Sequence, residues 1–588
     1  MTGLETSWFH PSLVFFLLGT IMALWVWHRF TFRRGLQVFS MNLYIVLFWL
    51  ASLKGRPDWP VDFFLFSDPL LALVHTLAGR VLIDLLLVSL AFIVLAAITG
   101  RVFCSHLCPL GTLIDISDHQ LGRTQGAKQN REDYCRVRKA KFVFLLVMLL
   151  SALCGFNLLG LGDPMVIFTR FAATVFFPVV MLLEDLSLKV LRPISDWAGL
   201  LEVTYFELIL PSFEGALIMA ALLALFLLLG RLQPRFWCRH ICPLGALLGW
   251  VGRWAPYRRR VSDACSECNV CTRECPAGAI HNNGVKTDRS ECIVCLRCVH
   301  ICPENAVSFS FQPKNPAMDL PGVEINRRTF IGGTLGGLAM TLSMRSDILH
   351  PSEAFLPLPL RHQGLIRPPG ALPEAEFLRR CARCGECMRA CPTNTLQPDW
   401  YRAGLEGLWA PRMNLRHAAC DQNCNVCGLV CPTESIRPLN LTERRHARVG
   451  VAIIVRDKCL PWAQDQKCLI CEEQCPYKAI VFQKDNQHRF DLPVVKASKC
   501  NGCGQCEDKC PVKGDSAIVV TPHGELRLSK GSYVEECRSR GLVFEAKDQG
   551  RNEFWLDDGE LSLQAPHDPS KKILRSLEKL LENRDTHH

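Results

Sequence analysis

In CSECNVCTRECP, residues 265 to 276, four cysteines fall at the spacing C-x2-C-x2-C-x3-C-P, and CIVCLRCVHICP, residues 292 to 303, repeats it. Three closely spaced thiolates can wrap one face of a cubane iron-sulfur cluster, while the fourth, ahead of a proline that turns the chain, ligates the neighbouring cluster. Cys275 is therefore expected to serve the cluster of Cys292, Cys295 and Cys298, and Cys302 that of Cys265, Cys268 and Cys271.

Further along, the pattern returns at Cys381, Cys384, Cys387 and Cys391 and at Cys500, Cys503, Cys506 and Cys510. Two looser quartets lie between. Cys420, Cys424, Cys427 and Cys431 open with three intervening residues, and Cys459, Cys468, Cys471 and Cys475 open with eight, but both keep the final C-x2-C-x3-C-P. Read in order, these are six quartets for six [4Fe-4S] clusters. Structural zinc sites do not usually repeat the x3-C-P ending, and disulfides explain the spacing no better. Of the 31 cysteines, Cys135, Cys154 and Cys537 stand alone and read as buried small residues.

Upstream, five apolar runs centred near residues 20, 45, 90, 150 and 222 approach the roughly 20 residues that cross a bilayer. The formal charge of +10 gathers beside these runs, at Arg29, Arg33 and Arg34, from Arg101 through Lys141, and at Arg253 with Arg258, Arg259 and Arg260. Placed so, it reads as a topology signal rather than a nucleic-acid footprint, and no nucleic-acid partner is expected. The N-terminus is expected outside, with five crossings ending inside.

Two shorter motifs lie in this part, FCSHLCPLGTL with Cys104 and Cys108 and WCRHICPLGAL with Cys238 and Cys242. Each follows an Asp-Pro pair, at Asp68 and Asp163, so the region is an internal repeat whose second copy carries an insertion near residues 180 to 212. If the copies meet about a pseudo-twofold axis, the four thiols could hold a seventh cluster. The alternative is two redox-active or structural thiol pairs. His106 and His240 read as packing residues. Asp68, Asp163, His75 and Arg170, the last two each seven residues past an aspartate, form a candidate quinol and proton site, because ionisable residues at bilayer depth are expensive and often functional. The plainer reading is that each Asp-Pro caps a helix start.

Between the cysteine-rich stretches, NRRTFIGGTLGGLAM, residues 326 to 340, sets two arginines before a weakly apolar, glycine-rich run. That is the mark of twin-arginine export, which moves folded domains, and it suits a module that must cross with its metal bound. Residues 329 to 344 would form a sixth crossing, retained as an anchor for want of an A-x-A cleavage site. An ordinary linker would instead leave every cluster in one compartment. The expected organisation is a membrane domain over 1–255, a two-cluster domain over 256–315, a signal anchor over 316–346, a four-cluster domain over 347–540 and a charged tail over 541–588. Within that tail Ile573, Leu577, Leu580 and Leu581 share a helical face.

The first 312 residues resemble the NapH-type membrane subunit of quinol dehydrogenases. From Arg327 onward, with RPPGALPEAEFLRRCARCGECMRACP and CLPWAQDQKCLICEEQCP, the chain resembles the NapG/MauM-type iron-sulfur proteins. NosR-like and CcoG-like proteins share the membrane motif. The departures are the fusion of two usually separate subunits, an extra N-terminal helix and the x3 opening at Cys420. The fold class implied is multi-domain, an α-helical polytopic membrane domain with α+β ferredoxin-like domains. The resemblance implies oxidation of quinol from the membrane pool, electron delivery to a periplasmic cytochrome c or reductase, and passage through the twin-arginine translocase during biogenesis. The competing functions are redox sensing, metalloenzyme assembly, or quinone reduction from a low-potential donor. There is no C-x-x-C-H for a haem. GGTLGG lacks the strand-turn-helix context of a dinucleotide site.

Overall fold

The computed structural model describes residues 32–51, 62–83, 87–121, 138–197, 210–281, 284–311, 319–320, 326–345 and 364–544. The apolar run near residue 20, Cys135, residues 198–209 of the insertion and the Ile573 face lie outside them. The chain divides into two units, Met1–Asp548 and Gln549–His588, and every described residue belongs to the first.

The first half is helical: α1 (Phe32–Leu50), α2 (Pro69–Gly79), α3 (Val88–Thr99), α4 (Pro109–Leu121), α5 (Ala140–Leu153), α6 (Pro164–Phe171), α7 (Phe177–Trp197), α8 (Ala216–Leu228) and α9 (Pro243–Gly252). Asp68 and Asp163 start α2 and α6 as N-caps. The Asp68 Oδ1 accepts from the Leu70 and Leu71 amides at 2.8 and 3.3 Å, and the Asp163 Oδ1 from Met165 and Val166 at 2.9 and 3.0 Å. Proline at the first helical position completes each start, since the amide it lacks would have no partner there. The Asp-Pro pairs are thus helix caps, whatever else they do.

A single π-turn, Ala172–Phe176, joins α6 to α7. Pro164–Val190 is the one described helix long and apolar enough to cross a membrane, with 27 residues and about 40 Å of length. This differs from the five crossings read along the sequence. The runs near 90, 150 and 222 form α3, α5 and α8, of 12 to 14 residues, and α1 carries Arg33, Arg34 and Gln37 in its first turns. The long helix instead begins at the second Asp-Pro and runs into the supposed insertion. A count of apolar residues does not say where a cap or turn breaks the helix, and here caps break it often. Even so, Val88, Leu90, Val94 and Ile98 of α3, Leu182, Leu183, Leu186 and Val190 of α7, and Leu217 and Leu225 of α8 are exposed. Their extent is unusual for a water-facing surface.

The first cysteine-rich module pairs β1 (Tyr257–Val261) antiparallel with β4 (Val307–Phe311), in the register Tyr257↔Phe311 to Val261↔Val307. Beside them β2 (Ile280–His281), β3 (Lys286–Asp288) and β5 (Asp319–Leu320) form a three-stranded sheet. Next, α10 (Arg327–Arg345) carries the chain into the second module. There β6 (Leu396–Pro398) pairs with β7 (Pro411–Met413), β8 (Val451–Ile454) with β11 (Ile518–Thr521), and β9 (Ile480–Gln483) with β10 (Leu492–Val495), all antiparallel.

Helix α5 holds the two modules apart. Near its start the fully buried Lys141 ammonium lies 2.5 Å from Glu291 of the first module, and Arg101 joins the same carboxylate at 3.2 Å. Beyond its end Asn157 donates to the carbonyls of Arg379 and Cys381 in the second module, and Arg383 donates back to the Asn157 carbonyl at 2.6 Å. The 14 residues between span about 21 Å. Arg101 and Lys141, which read from sequence as topology signals beside the apolar runs, are therefore buried ion-pair partners. Helix α10 runs alongside α5 in the same direction: Gly333 faces Val143 and Leu146, and Gly337 faces Val147 and Leu150. Glycine four residues apart lets the two backbones approach.

Candidate iron-sulfur sites

Cys265, Cys268 and Cys271 surround one cavity with Cys302, and Cys292, Cys295 and Cys298 stand together with Cys275. The second module repeats the exchange of fourth cysteines twice, which corrects the grouping read in chain order. Cys381, Cys384 and Cys387 stand with Cys431 rather than Cys391, and Cys391 lines a cavity with Cys420, Cys424 and Cys427. Cys459, Cys468 and Cys471 take Cys510, and Cys500, Cys503 and Cys506 take Cys475. Each three-cysteine loop ends in a proline turn that throws its fourth thiol across to the partner loop.

Backbone geometry makes these loops. After the first cysteine of each x2-x2 loop, the second and fourth residues are left-handed: Glu267 and Asn269, Val294 and Leu296, Arg383 and Gly385, Gly502 and Gly504. Side chains seldom tolerate that region, so the five of these eight positions that keep one do so only where the fold imposes the turn. Gly504 shows the limit, because a Cβ there would lie 2.7 Å from the Leu415 side chain. The x3 loop at Cys420 and the x8 loop at Cys459 lack this paired pattern; within the latter only Asp465 is left-handed.

The donor set fits a cluster. Among the described residues no three His, Cys, Asp or Glu side chains converge closely enough for a single metal ion. Instead four of the quartets ring cavities. Burial first, then the neighbouring Cys468 and Cys459, pushes the Cys471 thiol up to about 12, and burial raises Cys424 to about 12 as well. Four such thiols become thiolates only around a cationic partner. Donors already point at the sulfurs. The amides of Ala279, Ala306 and Ala479 lie 3.3 to 3.4 Å from Cys275, Cys302 and Cys475, and the Arg444 guanidinium 2.9 Å from Cys420.

Cys104, Cys108, Cys238 and Cys242 converge where the two repeats meet. The Cys108 Sγ accepts from the Gly111 amide at 3.4 Å, and the Cys242 Sγ from Gly245 at 3.2 Å, so the two CPLG turns are equivalent. Two residues that the sequence did not mark for this site complete it. Arg235 makes a two-pronged bond to Asp115, at 2.6 and 2.7 Å, and donates to the Cys104 carbonyl at 3.0 Å. Arg101 reaches from the first repeat toward Gly245 of the second, where a Cβ would lie 2.6 Å from its guanidinium. Each arginine stands three residues before the first cysteine of its own repeat, the signal that could have found them. His106 bonds Ser105 and the Val102 carbonyl, and His240 bonds Gln233, as packing residues do.

The candidate quinol residues divide into two places. Asp68 and Asp163 are fully buried and their carboxyl groups lie within hydrogen-bonding reach of each other. His75, about 10 Å further along α2, faces Arg380 and Thr433 of the second module. Arg170 lies near Cys384 and stacks on Trp409 at 3.9 Å. Tyr44, another residue the sequence did not mark, is buried between these places, its hydroxyl 3.2 Å from Thr169 and its ring edge-on to Phe64 and Phe168.

Comparison with known proteins agrees with this arrangement. A family described as a 4Fe-4S binding domain matches residues 81–128 and again 212–262, the two repeats of the helical half. Families described as 4Fe-4S dicluster domains match residues 258–303 and 466–513. Fold and sites thus define a ferredoxin-type electron-transfer protein with several [4Fe-4S] domains. The methylamine utilization ferredoxin-type protein MauM of Methylorubrum extorquens is 36% identical over 201 residues, 33% of this chain and 84% of that one. The ferredoxin-type proteins NapG and NapF of Escherichia coli are 34% and 32% identical, over 29% and 27% of this chain and 76% and 87% of theirs. The chain belongs to the MauM/NapG family of ferredoxin-type iron-sulfur proteins.

Proposed function

We propose that the chain is a membrane-bound quinol dehydrogenase component, a NapH-like membrane half fused to its MauM/NapG half, which takes electrons from quinol and passes them outward. The observation that carries this reading is the placement of the two cysteine-rich modules at opposite ends of α5. The exposed apolar side chains of α3, α7 and α8 supply a lipid-facing surface for the helices between. Helix α10, parallel to α5, takes the chain from the inner module to the outer one, as a retained twin-arginine anchor would. Helices shorter than a bilayer suit a polytopic domain in which buried half-helices meet end to end.

The residues that would hold clusters are the six exchanged quartets and, as a seventh site, Cys104, Cys108, Cys238 and Cys242. When bound, [4Fe-4S] clusters supply one-electron steps. The chain's part is to hold them and set their electrostatics. Arg444 and Arg259, the latter 3.5 Å from Cys271, place positive charge on the thiolates and so favour the reduced, more negative form. Asp68 and Asp163 are buried carboxyl groups able to hold a proton released with the electrons, and Arg170 with His75 lies between them and the outer module. A periplasmic cytochrome c or reductase is the acceptor class that this direction of flow requires.

Anaerobic mixing of the purified protein with a menaquinol analogue tests the reading by cluster absorbance. Bleaching within seconds is the expected result. No bleaching by quinol, with full bleaching by dithionite, would overturn it in favour of assembly or sensing.

A further inference from the structure

Asp68 and Asp163 occupy the same position in the two repeats, and each spends one oxygen on its own helix. Oδ1 takes the two amides that open α2 or α6. Among the described residues, Oδ2 of neither aspartate meets an N–H or O–H, and both side chains have no exposed surface. Across the repeat interface the two carboxyl groups are within hydrogen-bonding reach of each other.

From this geometry we infer that the two aspartates hold one proton between them, as a single acid-carboxylate pair. Two ionised groups would set like charges against each other in a buried core where no described residue donates to either Oδ2. Two neutral groups would forfeit the attraction that the positive end of a helix offers a negative cap. One proton satisfies both demands, because the protonated Oδ2 donates to its ionised counterpart in a short charge-assisted bond. The repeat makes the two microstates nearly equivalent, so the proton can reside on either side without a change of backbone.

The resting pair therefore stores one proton and has room for one more. Its use as an acceptor of quinol protons rests on the proposed function; its existence does not. Infrared difference spectra of the full-length resting protein test it, using Asp68→Asn, Asp163→Asn and the double variant, since asparagine keeps the cap. The expected result is loss of one carboxylic C=O band in each single variant, where the new amide donates to the surviving carboxylate, and no additional loss in the double. Two bands lost in the double would mean independent acids, and no band lost in any variant would mean two carboxylates around a cation. Either result overturns the inference. If one single variant fails to assemble, judged by its iron content, the other decides: its C=O band must vanish and shift in D2O in the wild type. A conforming infrared result without quinol oxidation would sink the proposed function alone.

Discussion

Arg235 shows how much one side chain holds. Its guanidinium is buried and bonds Asp115 twice and the Cys104 carbonyl once, so Arg235→Met leaves Asp115 to Arg33 and Gln37 and takes the donor from the Cys104 carbonyl. Losing charge-assisted bonds from such a network costs about 1.5–3 kcal/mol, and a fall in melting temperature with loss of iron from the helical half is expected. Gly245→Ala is a finer probe: its Cβ would press on the Arg101 guanidinium, so iron at Cys104, Cys108, Cys238 and Cys242 should fall while the six quartets keep theirs, by iron counting. In the second module, burial works against charge on Glu374, but Arg367 and Arg527 outweigh it and hold its carboxyl below the usual 4.5. Its contribution is present in full above that pH and is lost as pH falls through the depressed folded value. Glu374→Gln should cost about 1–2 kcal/mol at pH 7, allowing for its partial exposure, and the gap in urea midpoints should narrow toward pH 3.5. The ligand cysteines were legible in sequence because a cluster demands short spacing; Arg101, Arg235 and Tyr44 were not, because their partners lie far along the chain.

Elements carry the next level. Helix α10 was legible as a glycine-rich apolar segment, but its partner was not, since a glycine stripe does not say which helix it meets. The Gly337 Cβ position lies 3.7 Å from the Leu150 Cβ, close to the roughly 3.8 Å of a disulfide. Gly337→Cys with Leu150→Cys should therefore cross-link under mild oxidation, read as a linked peptide by mass spectrometry. Gly332→Cys, which has nothing within 4 Å, should not link to the same partner. The helix that continues from Asp163 through a π-turn to Trp197 was misread for a different reason. Apolar content marked the region as membrane-like and Asp-Pro marked a helix start, but only the structure shows that this helix runs on through the π-turn into the supposed insertion.

At the scale of the whole molecule, α5 separates two modules that the sequence could only list in order. An epitope inserted at Gly514, which has open space around it, should be reached by antibody from the outer face of intact spheroplasts. One inserted at Asp263 should be reached only after the membrane is opened. Labelling of both from one side would mean that α10 does not cross, and the two halves would then work in one compartment.

By itself, the sequence determined the chemistry and its multiplicity: the thiol spacings, the doubled CPLG motif and the paired Asp-Pro starts are all set by residues within a few positions of one another. Tertiary structure alone decided that the second module too exchanges its fourth cysteines, that Arg101 and Arg235 cross between repeats, and that Asp68 faces Asp163. These pairings join residues tens to more than a hundred positions apart, and only the packing of the chain brings their side chains into a common, largely buried space where charge and hydrogen bonding must be satisfied together.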